Sequence, residues 1–222
     1  MSHLQPELVL LNESIVEMMD MVSRQLERAR LAVMEHRYDL AQEVLALEKK
    51  VNGMELKIDK DCENILALYN PVAIDLRFVM ASMKINSNLE RIGDNAESIA
   101  HYISHGNPKI PADFLNAFRI DEMFLMVISM INDVKKGFVE EDTHLARQVF
   151  SKDFHLNEAN HEATQTAIQL GTKDPGDMPV IIPLLSSVRK LERSGDLIKN
   201  IAEEIIFYLE AKVLKHHAKL EK

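Results

Sequence analysis

The chain has 222 residues, with 26 basic against 35 acidic side chains and a formal net charge of −9. Hydrophobic residues at 46% and charged residues at 27% are the proportions of a globular protein, and they exclude disorder, collagen-like repeats and a disulfide scaffold. The charge, with no compensating Lys/Arg stripe and only 5% aromatics, argues against nucleic acid as a partner.

Apolar residues recur at spacings of three and four almost throughout, the period of an amphipathic helix. Leu8, Leu11, Ile15, Met18, Met19, Val22, Leu26, Ala29 and Val33 predict a first helix from about Glu7 to Glu35. His36 to Asp39 reads as a turn with Asp39 as N-cap, and a second helix carries Leu40, Val44, Leu47, Val51, Met54, Ile58, Cys62, Ile65 and Leu66. Asn70-Pro71 breaks it and predicts a third helix from Pro71 to about Ser104, with Asn70 as cap and Pro71 at the first helical position. His105 to Pro111, rich in Gly and Pro, is the strongest breaker and falls near the midpoint. Helices are then predicted over Asp113 to Val139 and Asp142 to Leu170. A loop follows over Gly171 to Pro179, and a last helix to about Lys219 has Pro183 near its start. Helices of about 30 residues are some 45 Å long at 1.5 Å per residue, and three can bury a common stripe only side by side. The expected fold is all-α: two tandem three-helix bundles, over residues 1–107 and 108–222.

The halves also match residue by residue. Leu89-Glu90-Arg91-Ile92-Gly93-Asp94 aligns with Leu191-Glu192-Arg193-Ser194-Gly195-Asp196 at an offset of 102, which also pairs Ile99-Ala100 with Ile201-Ala202. An offset of 105 pairs Leu40-Ala41 with Leu145-Ala146, Val44 with Val149, Glu48 with Asp153 and Asn52 with Asn157. Apolar periodicity alone would not preserve Glu, Arg, Gly and Asp together. The chain reads as an internal duplication.

Glu90 and Asp94, like Glu192 and Asp196, lie four apart and so share a helix face. Glu48 with Asn52, and Asp153 with Asn157, have the same spacing on the second helix of each half. Facing pairs would gather three carboxylates and an amide oxygen, whose mutual repulsion a cation relieves. Such oxygen-rich sets suit Mg, Ca, Mn or iron. Gly93 and Gly195 inside helices cost about 1 kcal/mol each relative to alanine and make room for a neighbouring helix or bound group. The plainer alternative is a solvated helix face on which Arg91 and Arg193 form surface ion pairs.

Other motifs carry less. Glu158-x-x-His161 has di-iron spacing, but the first half has no counterpart. His101 and His105 sit at a helix end, where capping or solvation suits them. Cys62 is the single cysteine, allows no intramolecular disulfide, and points to a reducing compartment. No apolar run approaches the roughly 20 residues of a membrane span, the N-terminus has no signal-peptide pattern, and no phosphate-binding loop, dinucleotide fingerprint or activated nucleophile is evident. The methionines read as core filler.

At these residues the sequence resembles the PhoU family of regulators associated with phosphate uptake. The resemblance covers nearly the whole chain and is carried by Pro71-Val-Ala73-Ile-Asp75-Leu76-Arg77 and by the two Leu-Glu-Arg-x-Gly-Asp motifs. It implies a cytoplasmic, non-catalytic adaptor between the ATPase of a phosphate ABC transporter and a sensor histidine kinase, dampening phosphate-starvation signalling, and a homodimer. It implies multinuclear iron or zinc clusters held by Glu90, Asp94, Glu192 and Asp196, with Glu48 and Asp153 opening the helix-two motifs. Asn52 and Asn157 stand where the family has a second acid, which lowers the charge of each site. The Pro-x-Ala-x-Asp-Leu-Arg motif occurs in the first half alone, so the halves are expected to differ in partners. Alternative roles are an accessory of another phosphate carrier, a metal store, or a carboxylate-metal enzyme.

Overall fold

A computed structural model describes residues 4–213. Among them are eight α-helices, one 3₁₀ turn and no strand. The helices are α1 (Leu4–Glu35), α2 (Tyr38–Tyr69), α3 (Ala73–Ser104), α4 (Ala112–Ala117), α5 (Ile120–Val139), α6 (Thr143–Arg147), α7 (Val149–Lys173) and α8 (Met178–Glu210), with the 3₁₀ turn at Pro175–Asp177.

Two three-helix bundles stand in tandem. In the first, α1, α2 and α3 all pack on one another; in the second, α8 packs against both α5 and α7. The bundles lie side by side, α3 along α8 and α1 along α5, so one continuous apolar core runs through both. This explains α1. Met18, Met19, Met21 and Val22 are all buried, too wide an arc for one apolar stripe, because α1 is covered by α2, α3 and α5. The methionines among these are core filler, as expected.

Polar bonds stitch the seam. Lys84 Nζ reaches Glu204 Oε2 at 3.0 Å, Arg30 Nε reaches Asp121 Oδ1 at 2.6 Å, Asn95 donates to Ser194 Oγ at 3.2 Å, and Lys135 pairs with Asp20. Phe78, Phe138 and Tyr208, one from each of α3, α5 and α8, form an aromatic triangle with ring centroids 5.5–6.1 Å apart.

Several boundaries differ from the sequence reading. Asn70 is not the cap of α3 but the left-handed C-cap of α2 (φ 46°), and α3 starts at Ala73 after the extended Val72. Asparagine tolerates that conformation better than most residues, so its signal belonged to the preceding helix end. Arg37, not Asp39, precedes α2; Asp39 lies in its first turn, and its carboxylate accepts from Arg37. The helix expected over Asp113 to Val139 is cut at Arg119 (φ 53°) into α4 and α5. Phe118 and Ile120 are both buried, yet residues two apart point about 200° apart on a continuous helix. The corner turns both inward. At Gln148 the backbone tightens into a 3₁₀ turn, its N–H bonded to Leu145 O, which separates α6 from α7. α7 continues through Gly171 to Lys173, and α8 already begins at Met178, placing Pro183 inside it. α8 ends at Glu210, with Ala211 as its left-handed cap, so the helix does not continue as expected. The rest of that prediction, to Lys219, lies outside the described residues.

Candidate metal centre

In the first bundle α2 turns Glu48 inward beside Val44 and Val51, leaving it 3% exposed. Gln25, from a core position of α1, donates from Nε2 to Glu48 Oε2 at 2.7 Å. Glu48 Oε1 and Gln25 Oε1, both buried, have no hydrogen-bond partner. Gly93 of α3 closes over this pair: a Cβ there would stand 2.8 Å from Glu48 Oε2 and 3.0 Å from Gln25 Oε1. The room expected of this glycine is therefore room for a carboxylate.

Burial pushes the Glu48 carboxyl up to about 7; the Gln25 hydrogen bond opposes this, and the nearby Asp94 and Glu97 carboxylates add to it. Glu90 is also raised, first by burial, then by Asp94 and Glu55. Asp94 and Asn52 are exposed at the mouth of the cleft. The arrangement is a buried acid with an unused oxygen, opening to further acids at the surface.

The second bundle uses the matching residues differently. Asp153 is 6% exposed and lies under Gly195, where a Cβ would press on Leu156 Cδ1 and stand 3.5 Å from Asp153 Oδ1. Lys199 Nζ donates to Asp153 Oδ2 at 2.6 Å and to Asp196 Oδ1 at 2.9 Å, and Asn157 Nδ2 donates to Asp153 Oδ2 at 3.1 Å. Burial alone would lower the Lys199 ammonium; the two carboxylates outweigh it and hold it above its ordinary value. Glu192 is raised by burial, then by Asp196 and Asp153. Arg193 pairs with Asp196 at 3.7 Å across partly exposed surface, as the plainer alternative anticipated.

Among the described residues no three His, Cys, Asp or Glu side chains converge closely enough to hold a metal ion. Both clefts have a buried carboxylate oxygen without a partner, Glu48 Oε1 and Asp153 Oδ1, but their donors differ. The first has oxygen donors alone, which fit a hard cation that draws them together. In the second an ammonium already bridges Asp153 and Asp196, which does not fit one. Sequence reasoning missed Gln25, a polar residue in the core stripe of α1, and Lys199, three residues beyond Asp196.

The remaining candidates are structural. The ring of His105 contacts His101 O at 2.7 Å, and its backbone N–H caps α3. Glu158 pairs with His155, not His161. The Cys62 thiol is buried and pushed up to about 12. Arg77 of the Pro71–Arg77 motif donates from Nε to the backbone carbonyl of Tyr208 at 3.2 Å, tying the start of α3 to the end of α8. Asp75, Ile74 and Phe78 line a cavity of about 370 Å³ at this end of the molecule.

The sequence profile of the PhoU domain matches residues 15–103 and again residues 120–205. The chain belongs to the PhoU domain family. Each PhoU domain falls on one of the two bundles. A phosphate-specific transport system accessory protein PhoU homolog of Aquifex aeolicus is 32% identical over 213 residues, 95% of this chain and 94% of that protein. The phosphate-specific transport system accessory protein PhoU of Escherichia coli is 30% identical over 210 residues, 95% and 86% of the two chains. The crystal structure of PhoU from Pseudomonas aeruginosa superposes with a TM-score of 0.86 at 27% identity, covering 93% of this chain and 99% of that one. The phosphate transport system regulatory protein PhoU from Streptococcus pneumoniae shares the fold, with a TM-score of 0.85 over 96% of this chain and 100% of that one, at 24% identity.

Proposed function

We propose that this PhoU-domain protein is a non-catalytic accessory of a phosphate transport system, which dampens phosphate-starvation signalling when phosphate is plentiful. The observation that carries this reading is the likeness, over 95% of the chain, to a relative named as such an accessory. Its long helices present extended faces suited to holding other proteins. The partners we assign are the transporter's ATPase on one side and a sensor histidine kinase on the other, with a second copy of this chain completing a homodimer. No described helix is long and apolar enough to cross a membrane. In this reading membrane contact comes through the partners.

The first cleft is assigned to a divalent cation. Glu48, Glu90 and Asp94 would supply carboxylate oxygens and Asn52 an amide oxygen. When bound, the ion would neutralise these acids and fasten α2 to α3. The Oε1 atom of Glu48, buried and without a partner, supports this assignment.

Deleting the gene and reading a phosphate-starvation reporter in high phosphate tests the regulatory role. Constitutive expression is expected. Normal repression overturns the role and turns attention to another phosphate carrier or to metal handling.

A further inference from the structure

Six positions around each cleft can be laid side by side through the internal duplication. The first repeat has Glu48, Asn52, Glu55, Glu90, Asp94 and Glu97; the second has Asp153, Asn157, Asn160, Glu192, Asp196 and Lys199. Five carboxylates and no cation stand against three carboxylates and one ammonium. Glu97 and Lys199 occupy the same place, 102 residues apart, and the reversal of charge there changes what each cleft can accept. Gln25, which holds Glu48, corresponds at an offset of 105 to the buried Met130. The polar support of the first cleft is thus absent from the second, and the second has a lysine instead.

We propose that Lys199 is the resident cation of the second repeat, so that a divalent cation enters this protein at the first repeat alone. Lys199 Nζ touches one carboxylate from each helix that a metal would bridge: Asp153 on α7 at 2.6 Å and Asp196 on α8 at 2.9 Å. Its side chain is 28% exposed, while that of Asp153 is 9% exposed, so the ammonium lies between the buried acid and solvent. An incoming ion must break both bonds and then repel a like charge held covalently beside it. Each cleft keeps one buried carboxylate oxygen without a partner, Glu48 Oε1 and Asp153 Oδ1, but in the first Gln25 supplies only a neutral amide where the second has the ammonium. The proposal rests on reading the first cleft as a cation site, and its test separates the two ideas.

The test uses the full chain, stripped with chelator and titrated with Mn²⁺, with bound ion counted by the loss of the free-ion EPR signal. Wild-type protein is expected to bind Mn²⁺ in one class of sites. That class is lost in the Glu48→Gln/Asp94→Asn double variant and in Glu97→Lys, and is kept in Asp196→Asn. Lys199→Met is expected to add a second class, which Asp196→Asn in that background removes. Lys199→Gln, which can still donate to Asp153, serves if the Met variant loses helicity by circular dichroism. Wild-type binding with no gain in either Lys199 variant overturns the proposal and leaves the first cleft standing. Gain in the Lys199 variants with no wild-type binding keeps the lysine as the bar to the second cleft and removes the first. Binding in neither removes both. Wild-type binding lost in Asp196→Asn but kept in the first-cleft variants reverses the assignment and overturns it.

Discussion

Glu48 carries an electrostatic cost when ionised in the folded protein, and its titration gives a direct test. Its folded carboxyl titrates at about 7, against an ordinary value of 4.5. The folded state therefore binds this proton more tightly than the unfolded state. The associated stability is fully present below pH 4.5 and is lost as pH rises through about 7. In metal-free protein, Glu48→Gln mimics the protonated form. Urea unfolding is expected to give near-equal stabilities for the two proteins at pH 4. At pH 8 the variant should be the more stable, by up to about 3 kcal/mol at 1.36 kcal/mol per pKa unit. Two glycines make the second residue-scale prediction. Gly93→Ala forces a methyl against Glu48 and Gln25 and should destabilise by about 1–3 kcal/mol, in spite of alanine's better helix propensity. Gly53, also helical but with nothing within 4 Å, should gain up to about 1 kcal/mol on the same change. Thermal melts of the pair separate crowding from propensity.

At the scale of the elements, the long helices were readable because burial follows period. Leu89, Ile92, Ala96, Ile99 and Ile103 recur at three and four, and all are buried in α3. The misread boundaries are those where a tertiary demand overrides local signal. Nothing in Ala117-Phe118-Arg119-Ile120 marks a corner; it follows from burying Phe118 and Ile120 together. The acidic candidates were likewise readable from spacing and duplication, but their surroundings were not. Gln25 is 23 residues from Glu48 and Lys199 is 46 from Asp153, contacts that only the packed bundle creates. Capping gives a test at this scale. Asp142 Oδ1 accepts from the His144 N–H at 2.7 Å and starts α6. Asp142→Ala should cost about 1 kcal/mol in a denaturant melt, and Asp142→Asn should recover most of it.

For the whole molecule, the decisive feature is that the two repeats share a seam. Each exposes to the other the apolar flank of α1 and α3 or of α5 and α8, so neither bundle is closed alone. Unfolding is expected as one transition, with the same midpoint by circular dichroism and by tyrosine emission. Phe138→Ala, made in the second repeat at a fully buried ring, should lower the stability of the entire chain by about 3–5 kcal/mol without splitting the transition. A biphasic curve would show that the repeats melt separately.

The aromatic triangle at this seam also makes the protein its own instrument. The sequence has no tryptophan and four tyrosines. Tyr208, 3% exposed and set against Phe78 and Phe138, sits where the repeats join. Burial holds its phenol above the ordinary tyrosine range. Its ionisation in an alkaline absorbance titration is thus tied to parting of α3, α5 and α8. A partner that pries the repeats apart would announce itself as an early phenolate signal, without a label.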